Sequence, residues 1–373
     1  MHIALISAHY PPNFVSGGTL VPQRLARGLV SRGHAVSVFA GRLDADEAPL
    51  TESDTVDDHG VAVHWINVTP WTAWDDPRNV DNPPVSAAFG RWLDEVHPDV
   101  VHAHSLQAVG AGLLAAAAAR GVPVVVTMHD FWWICARQFL VDRDYHPCAL
   151  VVAAGVCGCQ AGRAALDARA ATLAPYLDAV DLVLTPSAVT RDVLVANGLD
   201  PDRVEVDENG LDLGGAAEPD RSTVRRANRS ADAPVRLRYT GGPDPMKGID
   251  VLRRAAAAAA DTEGWELIVH LPTGESAGAD LDRLVARDRV TVAPPYPPER
   301  LDEIMADTDV LVLPSVMRET HSIVTREAML RGVPVIASDS LGPEEVIVDN
   351  LDPWSGDHCM DHEAVPGILL GNR

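Results

Sequence analysis

The sequence predicts an α/β chain built from two parallel-sheet domains in tandem, and three observations carry this. Short, largely apolar runs such as His2–Ala8, Pro123–Met128 and Val310–Leu313 recur along the 373 residues, separated by helical stretches. Apolar runs of that length are strands covered on both faces. The length suits two or three domains of ordinary size. Residues 214–234, small, polar and charged, divide the runs into two series, as a linker does. The expected domains are 1–213 and 235–349, with 350–373 as an atypical tail.

A formal charge of −23 argues against nonspecific binding to nucleic acid and against polybasic attachment to anionic membranes. No basic n-region precedes the first strand, and no apolar run reaches the length of a membrane span. A cytoplasmic protein is expected, with a peripheral membrane contact left open.

In the first domain His2–Ala8 is the first strand. Gly17-Gly18 lies in the loop after it, where glycine permits close backbone approach and positive φ. Thr19 is expected to cap a helix to about Ser31. Ala35–Ala40 and Val61–Val68 read as strands, Asp44–His59 as a solvated acidic loop, and Trp71–Pro84 as a long surface loop. Trp71 and Trp74 there suit either a stacking platform or a lid on the core. Val85–His97 is a helix. Asp99–His104 is a strand whose alternation puts His102 and His104 on one face. Pro123–Met128 ends in His129-Asp130, at the carboxyl edge where α/β sheets meet their ligands. Asp130 is expected to orient the His129 ring.

Cys135, Cys148, Cys157 and Cys159 fall in a segment of about residues 131–162. Four clustered thiols in a reducing compartment suggest a structural zinc site, with free thiols or a redox pair as alternatives. Helices are expected at Ala164–Tyr176 and Ala188–Ala196, around a strand at Leu182–Pro186.

In the second domain Val235–Thr240 is a strand, followed by the loop Gly241-Gly-Pro-Asp-Pro-Met-Lys-Gly248 and a helix through the alanine run to Ala260. Lys247 at a helix start suits a diphosphate. Trp265–Leu271 and Val290–Ala293 are strands, and Tyr296 lies just beyond the second. Val310–Leu313, a loop with Glu319, a helix from Ser322 to Arg331 and a strand at Val333–Ala337 form the most informative unit. Ser322 is the expected N-cap, with His321, Ser322 and Ile323 at the helix entry. Glu327 lies one to two turns on, where a carboxylate would accept from sugar hydroxyls.

Pro314-Ser315, Glu319, seven residues, Glu327-Ala-Met329 and Gly332-Val-Pro-Val-Ile-Ala-Ser338 together resemble the nucleotide-sugar signature of retaining glycosyltransferases of family 4. Tyr10–Gly18, Asn209–Asp212 and the Gly241–Gly248 loop are similar to further passages of that family, and the cysteine segment to an insertion carried by a subset of it. The resemblance covers about residues 1–349. It implies two Rossmann-like domains facing across a cleft, the GT-B architecture, here with a shortened C-terminal end. It implies transfer of a sugar from a nucleotide-diphosphate donor with retention at the anomeric carbon and no catalytic metal. His129, Lys247 and Glu319 would act in catalysis. Gly17, Gly18, Gly241, Gly242, Lys247, Tyr296, Glu319, His321, Ser322, Ile323 and Glu327 would bind the donor, and His104 and Asp130 would lie on the side of an unidentified sugar, lipid or small-molecule acceptor. Polysaccharide, glycolipid and natural-product glycosylation all remain open. Two departures stand out. Many members carry Phe-Gly where this chain has His321-Ser322, and an arginine where it has Gly242; Arg318 could supply the missing charge. The alternatives are a catalytically weak nucleotide-sugar-binding or scaffold protein of the same fold, and a sugar-nucleotide epimerase.

Overall fold

A computed structural model describes residues 1–152, 157, 159, 163–211, 230, 232–276, 278–349 and 366–370. Most of the expected linker, part of the cysteine segment and most of the tail lie outside these residues. The chain divides into two compact units, the first Met1–Asp142 with Cys148–Gly210, the second Arg143–Pro147 with Leu211–Arg373.

In the first unit the elements follow in chain order. They are β1 (His2–Ser7), α1 (Gly17–Ser31), β2 (Ala35–Arg42), β3 (Glu52–Val56), β4 (Ala62–Asn67), α2 (Pro77–Val80), α3 (Pro83–Val96), β5 (Val100–Ala103), α4 (Gly112–Ala118), β6 (Val124–Thr127), α5 (Arg163–Asp178), β7 (Leu182–Thr185), α6 (Ala188–Ala196) and β8 (Val204–Val206). The described strands form one sheet in the order β3-β4-β2-β1-β5-β6-β7-β8. Every pairing is parallel except β3 with β4. The order reverses beside β1, and such switch points are where open α/β sheets bind ligands. Ile3, Leu5, Val36, Val38 and Val63 are buried with Tyr10 and Trp65, since parallel strands carry apolar side chains on both faces.

Three expectations for this unit need correction. The acidic stretch read as a loop contains β3, whose residues pair antiparallel with β4. Its sequence, Glu-Ser-Asp-Thr-Val, is mostly exposed, as on a charged sheet edge. The long surface loop holds a 3₁₀ turn at Thr69–Trp71 and the short α2. Gly17 and Gly18 open α1 instead of preceding it, because Ser16 is the N-cap. Its side chain accepts from Thr19 N, and the Thr19 hydroxyl accepts from Ser16 N at 2.8 Å, a reciprocal capping box. Neither glycine takes positive φ, so that conformational freedom is not used there.

The second unit continues with β9 (Val235–Tyr239), α7 (Ile249–Ala258), β10 (Trp265–His270), α8 (Ala279–Val285), β11 (Val290–Ala293), α9 (Leu301–Ala306), β12 (Val310–Leu313), α10 (Ile323–Met329), β13 (Val335–Ser338), β14 (Val348–Asp349) and β15 (Pro366–Leu370). The sheet order is β11-β10-β9-β12-β13-β15-β14, and every pairing among the described residues is parallel. The residues read as an atypical tail therefore include a strand, with Val335 opposite Gly367 and Val348 opposite Pro366. Leu311, Leu313, Val333, Val335 and Ala337 bury against Ala328 of α10 and Met305 of α9, which fixes the helix whose start faces the site.

Candidate functional site

The loop after β9 and the loop after β12 are built on each other. Asp244 caps a 3₁₀ turn at Pro245–Lys247, and Gly248 closes it at φ 81°. A Cβ at Gly248 would overlap the Pro314 carbonyl, so only glycine fits. Val316 N and Met317 N both donate to Met246 O, at 3.0 and 3.2 Å. The buried Tyr239 hydroxyl donates toward Gly242 O at 3.0 Å and Lys247 O at 3.3 Å, holding the loop from beneath.

This interlock brings Lys247 to Glu319. Lys247 Nζ lies 2.9 Å from Glu319 Oε1, and Ser315 Oγ donates to the same oxygen at 2.6 Å. Ser338 Oγ in turn donates to Ser315 O. Glu319 is 7% exposed, and its backbone is clamped by Glu319 N to Ser340 O and Gly342 N to Glu319 O, both at 2.8 Å. A buried carboxylate needs such partners, because desolvation without them costs several kcal/mol, on the order of the Born term after relaxation.

The helix entry differs from expectation. α10 runs from Ile323 to Met329, shorter than Ser322–Arg331, and Ser322 takes φ 56°. Its hydroxyl lies 2.7 Å from Thr325 Oγ1 and makes no capping bond to a backbone N–H. The turn is instead tied by buried Arg326, which donates to His321 O, to Gly342 O at 3.3 Å and to Glu345 at 3.3 Å. His321 is also buried, and Glu327 is 7% exposed.

Tyr296 lies beside this group. Burial first, and then the Glu327 carboxylate, push its phenol up to about 12, while a bond with Thr240 acts the other way. Two residues that sequence reasoning missed hold it. Arg238, 2% exposed, donates to His270 Nε2 at 2.7 Å, to Thr308 Oγ1 at 2.6 Å and to Asp307 at 3.0 Å. His270 Nδ1 donates to Pro294 O at 2.7 Å, and its ring meets Tyr296 edge-on at 4.9 Å. The two partners fix one tautomer, and burial lowers the His270 pKa, so the ring is a neutral strut.

Gly241 and Gly242 differ in role. A Cβ at Gly241 would crowd Tyr239 and Lys247. Gly242 has open space but sits at φ 71°, so an arginine there would be strained. Arg318 donates to Asp339 O at 3.4 Å, and its charge also acts on Glu344.

In the first unit the edge of β5 and β6 carries a histidine stack. His102 and His104 share a face as predicted, with ring centroids 4.3 Å apart. His104 and His129 stack at 5.1 Å, and His104 Nδ1 lies 2.8 Å from His129 Nε2. His102 Nε2 pairs with Thr127 Oγ1 at 2.7 Å. Burial lowers His102 to about 4 and drives His104 well below its ordinary value, so both are neutral. His104 Nε2, Gln107 Oε1 and His9 Nδ1 are buried without hydrogen-bond partners, after the adjacent strands β1 and β5. Asp130 was expected to orient His129. Its carboxylate accepts instead from Trp132 N at 2.8 Å, and burial raises it to about 6. Trp71 is buried under the Arg78 guanidinium, which answers the open choice in favour of the core; Trp74 packs with Arg137 at 5.9 Å.

Two tandem parallel-sheet units, the second bringing Lys247 of the glycine loop to Glu319 of the facing loop, have the fold of the GT-B glycosyltransferases. The model described as Glycosyltransferase Family 4 matches residues 15–214, and that of Glycosyl transferases group 1 matches residues 235–359. The chain belongs to glycosyltransferase family 4 and is a glycosyltransferase. Curated relatives are D-inositol 3-phosphate glycosyltransferases. The one from Geodermatophilus obscurus is 27% identical and covers 100% of this chain and 82% of its own length. The one from Kineococcus radiotolerans is 28% identical, covering 93% and 80%. The one from Nocardia farcinica is 30% identical over 52% of this chain, which spans only 45% of that relative's length. Among solved structures, sucrose-phosphate synthase from Thermosynechococcus elongatus superposes with TM-score 0.64 at 20% identity, covering 99% of this chain and 86% of its own. Anabaena HepE in complex with UDP gives 0.63 at 17%, covering 100% and 86%. No helix among the described residues is long and apolar enough to cross a membrane.

Proposed function

We propose that this chain transfers a sugar from a nucleotide-diphosphate sugar to a hydroxylated acceptor with retention at the anomeric carbon. The observation that carries the reading is the Lys247–Glu319 pair, buried on one side and held by Ser315 and the glycine loop. In this reading Lys247 leaves Glu319 for the diphosphate and stabilises charge as the donor bond breaks. Glu319 then accepts from the sugar hydroxyls, and Glu327 from the ribose. Tyr296 lines the base, and His129 contacts the transferred sugar. Gly17, Gly18 and the α10 entry at His321–Ile323 offer backbone N–H groups to anionic oxygen. His104, Asp130 and the unpartnered polar atoms of His9 and Gln107 suit the acceptor side.

The chemistry uses no metal, and any zinc would be structural. Cys135, Cys148, Cys157 and Cys159, close in sequence and in reduced form, fit a cytoplasmic, reducing location. The named relatives make an inositol phosphate the first acceptor to try, before polysaccharide, glycolipid or natural-product acceptors. The test is thermal shift with UDP, GDP, ADP and dTDP sugars, followed by turnover with the donor that binds. A shift with one base, lost in Glu327→Ala and Lys247→Ala, is expected. A well-folded chain that shifts with none overturns the reading, and binding without release of nucleotide diphosphate leaves a binder in its place.

A further inference from the structure

Cys135, Cys148, Cys157 and Cys159 are spread over 25 residues of chain, yet all four line one cavity of about 40 Å³, together with Leu140 and Val141. The space suits a single atom or water and no organic ligand. The backbone is shaped toward the first sulfur. The Cys135 thiol accepts from the N–H groups of Arg137 and Leu140. Gln138 and Leu140 reach positive φ of 69° and 50° as the chain turns around it. Cys148 N then donates to Leu140 O at 2.7 Å, bringing the second thiol back to the same turn. Two N–H donors aimed at one sulfur stabilise a thiolate more than a thiol.

Four sulfurs gathered in one apolar pocket, one of them already furnished with two N–H donors, suit a soft divalent cation that replaces four protons.

We propose that Cys135, Cys148, Cys157 and Cys159 form a structural zinc site that pins the segment following β6. Zinc accepts four thiolates tetrahedrally and needs no further ligand. Binding exchanges four S–H protons for four Zn–S bonds, with no change in oxidation state, so affinity falls on acidification. The sulfurs must draw together as they bind. Among the described residues, the set of three ligand atoms within 4.8 Å of one another is Asp142, Asp144 and His146, largely exposed and mostly oxygen-donating. The proposal is independent of the transfer reaction, since its readouts are metal content and thiol reactivity.

The test uses the full chain, purified under reducing conditions without chelator or metal-affinity tag. Elemental analysis should give about one zinc per chain, the stoichiometry of a closed four-thiolate site. The four thiols should resist a thiol reagent until chelator is added. Cobalt in place of zinc should give the intense visible bands of a tetrahedral thiolate complex, which requires no variant. Cys148→Ser should abolish zinc retention and lower Tm. Freely reactive thiols with no zinc after incubation with Zn²⁺, or a Cys157–Cys159 disulfide under those conditions, would overturn the proposal.

Discussion

Lys247 and Glu319 are each other's counterion before any donor arrives, and this separates stability from binding. Lys247→Ala strands a buried carboxylate and should lower stability by about 1–3 kcal/mol. Lys247→Ala with Glu319→Ala should recover most of that loss in thermal melts, yet neither variant should bind donor. Full recovery of binding in the double variant would sink the assignment of Lys247 to the diphosphate. Gly248 and Gly242 make a second contrast. Gly248→Ala collides with the Pro314 carbonyl and should cost more than about 3 kcal/mol, as overpacking on backbone does at its upper end. Gly242→Arg meets open space and should cost only about 1 kcal/mol for its left-handed backbone. If the diphosphate passes this loop, Gly242→Arg should tighten nucleotide binding; unchanged affinity would place the phosphates elsewhere. Fixed spacing between strands and helix marks Lys247, Glu319 and Glu327 in the sequence, and the structure brings the first two together. Nothing marks Arg238 and His270. They meet across 32 residues on neighbouring strands, and a buried Arg–His pair leaves no local pattern.

Among elements, the apolar strands were legible to within a residue or two, because burial on both faces leaves uninterrupted apolar runs. β12 begins and ends as read. β3 was invisible for the opposite reason, since an exposed edge strand is specified by its neighbour's hydrogen bonds and not by its own side chains. The start of α1 was misread because Ser16 and Thr19 are both capping residues, and only the reciprocal geometry tells which is the cap. Ser16→Ala should therefore destabilise the first unit by about 1 kcal/mol, and Thr19→Ala by a similar amount through the other half of the box. Chemical denaturation reads both. An effect confined to Thr19 would return the cap to that residue. At α10 the sequence suggested an ordinary serine cap, whereas Ser322 is left-handed and the turn depends on Arg326, which no local rule anticipates.

For the molecule as a whole, acid should act first through buried histidines. His9 and His102 are lowered to about 4, and burial holds His104 well below its ordinary value. Their folded values lie below the unfolded one near 6.5, so the unfolded chain binds more protons and stability drains away as pH falls from about 6.5 toward 4. The His9 and His102 shifts are each worth on the order of 3 kcal/mol when fully expressed. Asp130, raised to about 6, works in the opposite sense over about pH 4–6, favouring the folded chain as its carboxyl takes up a proton. Three histidines outweigh one carboxyl, so melting temperature should fall steeply below pH 6.5. His102→Asn should flatten that slope, and an unchanged slope would locate the acid sensitivity elsewhere. The two-unit architecture was legible in the alternation of strands and helices, but the place of β15 between β13 and β14 was not, because sheet order beyond neighbouring strands is not written in local pattern.

Gly248 under the Pro314 carbonyl, with Met246 O shared by two amides of the facing loop, means that neither loop has a shape of its own. An attempt to change donor preference by grafting a relative's glycine loop alone would import a surface with no matching counter-surface. Residues 241–248 and 314–319 form one transplantable module, and chimeras that carry both across together should express where those carrying either one alone do not.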